Sequence, residues 1–343
     1  MAAAVADAMH KEENMTMRVV PAGTDIARMS LLAGNRAHIV WIGFGSHLAQ
    51  EGVWDFAATE WGPQSVRLIQ AGVPPSGMQY GTAKDANIKT WADLKGTRVA
   101  DVEGYPALTL IAEGCLAFGG LTWDDVERVM FPSFGTAGKG VIEGKVDSAC
   151  CATYSSWVYE LESSPRGLYF PPYPHADKEA WARLRLKNPV MVPIKATVGP
   201  GLSADNPLET GSYPNPSVLT YDRIEPEFAY QMAKLLYELW PVYGQAKAPG
   251  IEQFDPKNHV YDYVIPYHEG AVKYYKEIGV WTAEHDKNNA SLVKRQQVLA
   301  EAWDKAVAQG AAEGVKSGDF PAFWEVIRVK ALEDAGFDVY YKK

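Results

Sequence analysis

A buried strand that ends in a small-residue loop and leads into a helix recurs along this sequence, and this repeat constrains the fold more than any other feature. The run AHIVWIGFG at residues 37–45 is apolar throughout and ends in glycines, as a strand covered on both faces of a parallel sheet does. Similar strands are predicted at 97–102, 129–131 and 146–152, each followed by a helical pattern. Repeated strand–helix units of this kind predict an α/β fold with largely parallel sheets.

Length and composition fit two such sheets. The chain has 343 residues, which favours two domains, and its 47% hydrophobic content is enough for their cores. The longest uncharged apolar run, residues 39–44, is far shorter than the roughly 18 to 20 residues of a membrane span. A net charge of −9 without a basic run argues against a nucleic-acid partner. The three cysteines form neither a disulfide framework nor a zinc pattern, and we expect no metal and no cofactor.

Both ends of the chain are predicted to be helical. Residues 2–10 are rich in alanine, which favours a helix, and residues 17–20 then alternate like a short strand closed by a turn. Near the other end, residues 290–309 and 321–335 have the pattern of helices with charged outer faces.

No sequence motif supports catalysis. The chain has no G-x-G-x-x-G, no Walker lysine pattern and no G-x-S-x-G. His268 lies beside Glu269 but has no second ligand at metal-site spacing, so we interpret it as a residue at the start of a helix. Cys150 and Cys151 fall in an apolar strand, where a free cysteine behaves as a small buried hydrophobe.

Four loops that follow predicted strands are the candidate ligand contacts. In an open α/β sheet, ligands bind beyond the carboxyl ends of strands, near the N–H groups of helix starts. Tyr105 and Tyr154 lie in two of these loops and offer an apolar wall with a phenol. The alternative, that each loop only turns the chain, stays open. The candidate binding residues are Gly23, Thr24, Asp25, Gly43, Phe44, Gly45, Ser46, Glu103, Gly104, Tyr105, Pro106, Ala107, Thr153, Tyr154 and Ser155.

Four segments carry a resemblance to a known family. They are residues 88–100 (IKTWADLKGTRVA), 119–126 (GGLTWDDV), 141–149 (VIEGKVDSA) and 268–279 (HEGAVKYYKEIG). The first and third kinds of segment recur in many two-lobed binding proteins, whereas the last is more specific. On these segments the chain resembles the TAXI-type solute receptors of TRAP transporters, extracytoplasmic proteins that deliver small organic acids to a sodium-coupled permease.

The resemblance implies a type II periplasmic-binding-protein fold, in which two α/β lobes have a ligand cleft between them. Residues 1–80 and 219–281 would form lobe I, 81–218 lobe II, and 282–343 a helical C-terminal extension that packs on a lobe or forms a dimer face. The implied function is capture of a small organic ligand, an organic acid or amino acid including aromatic ones, for TRAP permease subunits in the periplasm. The four candidate loops fall where this family lines its pocket, and no enzyme activity is implied.

Two departures from the family bear on the site. Family members begin with a signal peptide and a first strand, whereas a helix is predicted here from Met1 onward, so we expect that strand to be missing and find no signal peptide. Glu103 and Tyr105 replace the usual small hydrogen-bond donors of one loop. An anionic ligand next to Glu103 would be repelled unless that side chain turns outward, so dicarboxylate ligands are disfavoured.

Two other functions stay open from the sequence. One is an enzyme on the same fold, similar to thiamine-pyrimidine synthases, with Cys150, Cys151 or His268 as its active groups. The other is a protein that no longer binds a ligand and serves as a scaffold.

Overall fold

The computed structural model describes residues 1–103, 105–246, 248 and 250–342, which form two compact units. Unit 1 contains Met1–Pro74 and Pro214–Val339, and unit 2 contains Pro75–Tyr213 with the last few residues of the chain. Gly104, one of the candidate binding residues, lies outside the described residues. No helix among the described residues is long and apolar enough to span a membrane.

Helices and strands alternate over most of the chain. The helices are α1 (Ala2–Glu13), α2 (Asp25–Ala33), α3 (Gly45–Glu51), α4 (Pro106–Phe118), α5 (Phe134–Ile142), α6 (Ser156–Glu162), α7 (Lys178–Lys187), α8 (Pro226–Glu238), α9 (Trp240–Tyr243), α10 (Glu269–Glu277), α11 (Ala283–Glu313) and α12 (Phe320–Asp334). The strands are β1 (Val40–Ile42), β2 (Val66–Gln70), β3 (Met78–Ala83), β4 (Arg98–Val102), β5 (Glu127–Phe131), β6 (Ser148–Ala152), β7 (Leu168–Tyr169), β8 (Val192–Ala196), β9 (Leu208–Ser212) and β10 (Ser217–Tyr221).

Unit 2 is built on a five-stranded sheet with the order β5-β4-β6-β3-β7. Strand β4 runs parallel to both β5 and β6, and β3 runs antiparallel to β6 and β7. Every residue of β6 is buried, including Cys150 and Cys151, which explains its continuous apolar sequence. Strands β8 and β9 form a separate antiparallel pair. The predicted α/β class with helical C-terminal segments is confirmed, whereas the expected largely parallel pairing is found in this sheet only between β4 and its neighbours β5 and β6.

Unit 1 has a smaller sheet of three strands, in the order β1-β10-β2, with β10 antiparallel to both neighbours. Helix α10 packs closely on α8 at Gly270, where any Cβ atom would lie only 2.0 Å from the carbonyl oxygen of Pro226. Glycine is therefore required at this position of the segment that carried the most specific part of the family resemblance.

The strand predicted at residues 17–20 is wrong. The described backbone of residues 14–22 has neither helix nor strand, and Val19 and Val20 are each 44% exposed. A strand exists only where a neighbour accepts and donates its ladder hydrogen bonds, and these residues have no strand beside them. The alternating residues favour an extended backbone, but a strand forms only if a neighbouring strand pairs with it.

The C-terminal helices belong to the core of unit 1. Helices α11 and α12 pack on each other around Leu299, Ala306, Trp324 and Leu332, all fully buried. The indole nitrogen of Trp324 donates a hydrogen bond to the carbonyl oxygen of Gly52 (2.7 Å) and so ties α12 to the end of α3. The expected helical C-terminal extension is confirmed by α11 and α12, which belong to unit 1, while a dimer face on it stays a prediction.

A buried carboxylate joins these helices to the rest of unit 1. The Glu51 side chain at the end of α3 is fully buried and makes two 2.7 Å hydrogen bonds with Arg295 of α11. Arg328 of α12, also fully buried, places Nη1 3.4 Å from Glu51 Oε2. Burial alone would raise the pKa of Glu51, but the two guanidinium groups outweigh it and hold the pKa at about 2. The carboxylate is therefore ionised at neutral pH.

We expect Glu51→Gln to lower the free energy of unfolding by about 3–5 kcal/mol, because it removes a buried counter-charge that Arg295 and Arg328 need. Urea denaturation at pH 7 measures the loss. The matched control Asp334→Asn breaks the exposed Lys330–Asp334 ion pair and should change stability by less than about 1 kcal/mol. Equal losses in the two variants would contradict the role of Glu51.

Acid should destabilise the protein partly through His47, which is fully buried on α3. The pKa of His47 is lowered to about 4, chiefly by burial, with Glu51 opposing the shift and Arg295 and Arg328 adding to it. The unfolded chain binds this proton near pH 6.5, so the stability is present above pH 6.5 and is lost as pH falls toward 4, by about 2–3 kcal/mol. We expect His47→Asn to flatten this slope in pH-dependent denaturation. His10→Asn, at an exposed histidine, should leave it unchanged.

Candidate functional site

Unit 2 gathers three loops at the edge of its sheet where β4, β5 and β6 end. Because these strands are parallel, their carboxyl ends lie at the same edge, which we call the carboxyl edge of unit 2. The aromatic side chains of Tyr105, Phe134 and Tyr154 follow the three strands and are 57%, 36% and 40% exposed. The sequence analysis identified the first and third loops and missed the second, residues 132–134.

The missed loop had a recognisable signal. Ser133 is the N-cap of α5, where its hydroxyl accepts a hydrogen bond from the backbone N–H of Thr136 (3.3 Å) in a capping box. The preceding strand β5 has the same length as β4 and β6 but is mostly exposed, so its sequence lacks the continuous apolar run that marked β6. A serine directly before a helical pattern is a common N-cap, so Ser133 before residues 134–142 is the local signal for this loop.

The loop after β4 is fixed by its own backbone. Tyr105 is the N-cap of α4, its N–H donates to the carbonyl oxygen of Val102 (3.3 Å), and Pro106 occupies the first helical position. The Glu103 backbone N–H donates to the carbonyl oxygen of Phe131 (3.0 Å), while its side chain is exposed. Ala107 lies in the first turn of α4. The loop thus presents an aromatic ring and a carboxylate on a rigid base.

Asp101, at the end of β4, holds this loop in place through hydrogen bonds to the residues around it. The sequence analysis did not identify it. Its carboxylate is buried and accepts hydrogen bonds from the hydroxyl of Thr109 (2.9 Å) and the backbone N–H of Val102 (2.8 Å). Its other oxygen pairs with Arg128 of β5, whose guanidinium lies 4.4 Å from the ring centre of Trp123. The ion pair links β4 to β5 directly behind the carboxyl edge of unit 2.

The hydroxyl groups of the loop after β6 form hydrogen bonds with backbone groups of the protein. The Thr153 hydroxyl donates to the carbonyl oxygen of Val198 (2.5 Å) and accepts from the backbone N–H of Gly77 (3.1 Å). The Ser155 hydroxyl accepts from the backbone N–H of Ala152 (3.1 Å). Of the three predicted residues in this loop, Tyr154 is therefore the one whose side chain is most exposed.

In unit 1 the two predicted loops meet each other. Thr24 caps α2, and the carboxylate of Asp25 accepts hydrogen bonds from Arg28 (2.9 Å) and from the backbone N–H of Gly45. A Cβ at Gly45 would lie 2.1 Å from Asp25 Oδ2, so only glycine allows this approach. Burial raises the pKa of Asp25, although Arg28 and Gly45 oppose the rise. An internal carboxylate therefore occupies the start of α3.

The other side of this loop contacts residues that the sequence analysis did not identify. A Cβ at Gly43 would lie 2.2 Å from the side-chain oxygen of Asn215, whose backbone is held by two 2.9 Å hydrogen bonds with Gln253. Ser46 is buried, and its hydroxyl donates to the carbonyl oxygen of Gly43 (2.6 Å). Phe44 is also buried, which leaves Gly23 and Thr24 as the exposed members of the unit 1 set.

The residues of the enzyme alternative have structural roles in the described chain. His268 is buried as the N-cap of α10, with Nδ1 accepting from the Gly270 N–H (3.2 Å), and burial lowers its pKa. This confirms its interpretation as a helix-start residue. Burial raises the pKa of the Cys150 and Cys151 thiols, so neither is a thiolate at neutral pH. The described residues contain no group of His, Cys, Asp or Glu that could hold a metal ion.

We expect Thr153→Val to lower the free energy of unfolding by about 1–3 kcal/mol, because the buried N–H of Gly77 and the carbonyl of Val198 lose their shared hydroxyl partner. Thr153→Ser is the matched variant, since it retains both hydrogen bonds and should lose much less. Thermal denaturation of the two variants measures the difference. Identical melting temperatures would show that the hydroxyl does not hold this loop.

Several solved structures are similar to this chain at low sequence identity. A putative periplasmic sulfonate-binding protein SsuA of a sulfonate ABC transporter from Methylobacillus flagellatus is 14% identical, with 98% of this chain and 89% of that chain covered, at a TM-score of 0.42. The GluR0 ligand-binding core from Nostoc punctiforme in complex with L-glutamate is 13% identical, with 74% and 91% covered, at a TM-score of 0.38. The Gly52Ala mutant of arginine-bound ArgBP from T. maritima is 11% identical, with 71% and 84% covered, at a TM-score of 0.35.

Sequence comparison places the chain in one family. No curated protein matches it. A family described as NMT1-like matches residues 1–279, which is most of the sequence and ends just before α11. The chain therefore belongs to the NMT1-like family.

Proposed function

We propose that this protein is a solute-binding receptor that captures a small organic ligand and passes it to a membrane transporter. The observation that carries the proposal is the carboxyl edge of unit 2, where exposed aromatic rings stand on loops that are held rigid from below. Such rings with few well-placed polar groups are typical of small-molecule sites. The similar sulfonate-, glutamate- and arginine-binding structures are compatible with this function.

The ligand class follows from the groups that the edge offers. The helices α4 and α5 begin there, and their first backbone N–H groups favour a carboxylate. Exposed Glu103 repels a second negative charge and attracts an ammonium group. We therefore favour an amino acid or a monocarboxylic acid with an aromatic or apolar body over a dicarboxylate.

The finer parts of the proposal rest on the family resemblance. They are membership of the TAXI-type receptors, TRAP permease subunits as the membrane partner, and a periplasmic location. The assignment of 1–80 with 219–281 and of 81–218 to two lobes, and the ligand cleft, remain predictions of the same kind. An enzyme is disfavoured because Cys150, Cys151 and His268 are buried in structural roles.

Ligand binding can be tested by thermal shift and calorimetry with aromatic amino acids, aromatic monocarboxylates, dicarboxylates and sulfonates. A ligand at a hundred times its Kd should stabilise the protein by about 2.7 kcal/mol and raise the melting temperature by a few degrees. We expect Tyr105→Ala and Tyr154→Ala each to weaken binding about tenfold or more, because each removes an apolar wall of the ligand site.

Tyr159→Ala is the matched control, because Tyr159 is a 44% exposed tyrosine on α6 outside the loops and its removal should leave affinity unchanged. Mass spectrometry of the ligand after incubation should show it unaltered. If no compound stabilises the protein, or if the bound compound is converted and Cys151→Ser stops the conversion, the receptor proposal fails.

A further inference from the structure

Unit 1 contains a pocket between α10 and α11 that is separate from the loops of the candidate site. Its volume is about 710 Å³, and all of its lining residues belong to unit 1. The Asn289 side chain on α11 accepts a hydrogen bond from the backbone N–H of Tyr267 (2.6 Å) and donates one to the carbonyl oxygen of the same residue (3.3 Å). These two bonds hold α11 against the segment that leads into α10. Asn289 and Val293 lie beyond residue 279, so the C-terminal helices supply part of the pocket.

A largely buried arginine of β2, Arg67, lines this pocket with a side chain that is 12% exposed. Its Nη1 donates hydrogen bonds to a backbone carbonyl and to the side chain of Gln296. Among the described carboxylates, only that of Asp222 comes within 4 Å of it, with 3.9 Å between Nη2 and Oδ2. Arg295 and Arg328, which are also buried in unit 1, have carboxylate oxygens at 2.7 and 3.0 Å. The charge of Arg67 is thus the least well compensated of the three.

The charged residues of α10 that line the pocket divide into paired and unpaired groups. Lys276 and Glu277 have partners outside the pocket, at 2.9 and 2.5 Å. Glu269 is exposed and forms no ion pair with any described residue. Lys273, one turn later, places its ammonium group 4.7 Å from the centre of a tyrosine ring and likewise has no carboxylate partner in the described chain. The pocket therefore offers both signs of charge to a ligand.

These charges favour a zwitterion over a simple anion. A ligand carboxylate can accept charge-assisted hydrogen bonds from Nη2 of Arg67. A bare anion there would be repelled by Asp222, whose carboxylate is 3.9 Å from the same nitrogen. An ammonium group next to the ligand's carboxylate offsets this repulsion and is attracted to Asp222 and Glu269. Val272 and Val293 give the pocket apolar walls, which suit an aliphatic side chain.

We propose that the pocket between α10 and α11 is a second small-molecule site, which binds an aliphatic amino acid as its zwitterion. Arg67 binds the carboxylate, Asp222 and Glu269 attract the ammonium group, and the two valines contact the side chain. The groups come from β2, α10, α11 and the turn after β10, so a bound ligand joins the sheet of unit 1 to its C-terminal helices. The inference does not depend on which ligand the carboxyl edge of unit 2 takes.

Methyl NMR of the full-length protein, labelled on valine, tests the proposal. The probes are L-leucine, 4-methylpentanoate, which lacks the ammonium group of leucine, and 3-methylbutylamine, which lacks its carboxylate. We expect leucine to shift the methyl signals of Val272 and Val293. Each of the other two probes should bind at least about tenfold more weakly, because each lacks one of the two charged groups that the pocket recognises.

Three variants examine the role of the charges. Asp222→Asn, at an exposed residue, should weaken leucine binding and strengthen 4-methylpentanoate binding, because it removes both the attraction for the ammonium group and the repulsion of the carboxylate. Arg67→Gln should remove the shifts caused by either probe. The matched control Glu284→Gln breaks an exposed ion pair on α11 outside the pocket and should leave both affinities unchanged.

The outcomes distinguish this site from the carboxyl edge of unit 2. Valine shifts that persist in Tyr105→Ala would support a separate site in unit 1. Leucine that binds without shifting Val272 or Val293 would overturn the inference and leave the proposed receptor function standing. Equal affinities for leucine and 4-methylpentanoate in the original protein and in Asp222→Asn would also overturn it, and this comparison decides the matter even if Arg67→Gln does not fold.

Discussion

The ionised carboxylate of Glu51 is the constraint on which the architecture of unit 1 depends. A buried charge of this kind is tolerated only with charged partners in good geometry, and here they come from Arg295 and Arg328. Both arginines lie beyond residue 279, where the match to the NMT1-like family ends. The C-terminal helices are therefore required by a residue inside the family region, and they cannot be regarded as an appendage.

The same short helix connects this network to a loop of the candidate site. Helix α3 begins at Gly45, whose N–H binds the Asp25 carboxylate, and ends at Glu51. The first end is held by the half-buried carboxylate of Asp25 on α2, and the last end by the buried carboxylate of Glu51 on α3 itself. The position of residues 43–46 is consequently set by α11 and α12 as well as by the sheet, since any shift of α3 would disturb both ends.

The sequence predicted those elements whose formation depends on neighbouring residues in the chain. The strands β4 and β6 and the start of α4 at Pro106 followed from apolar runs, glycines and a proline, and the structure has them within one or two residues. Residues 17–20 failed because a strand needs a neighbour, which their pattern cannot supply. The Glu51 network was beyond prediction, because its partners are 244 and 277 residues away and a lone Glu or Arg has no distinctive pattern.

At the candidate site, the structure shows which of the predicted polar groups already have partners within the protein. The Ser155 hydroxyl binds the backbone of its own loop, whereas the Thr153 hydroxyl and the Asp25 carboxylate bind backbone groups of neighbouring loops. They hold the loops in shape before any ligand arrives, which reduces the ordering entropy that binding must overcome. In the proposed receptor, recognition is left to groups that the backbone does not use, chiefly exposed rings such as Tyr105 and the exposed Glu103. A site of this composition discriminates by ring stacking and by a single charge, so selectivity should follow the shape of the ligand's apolar body more than its number of polar groups.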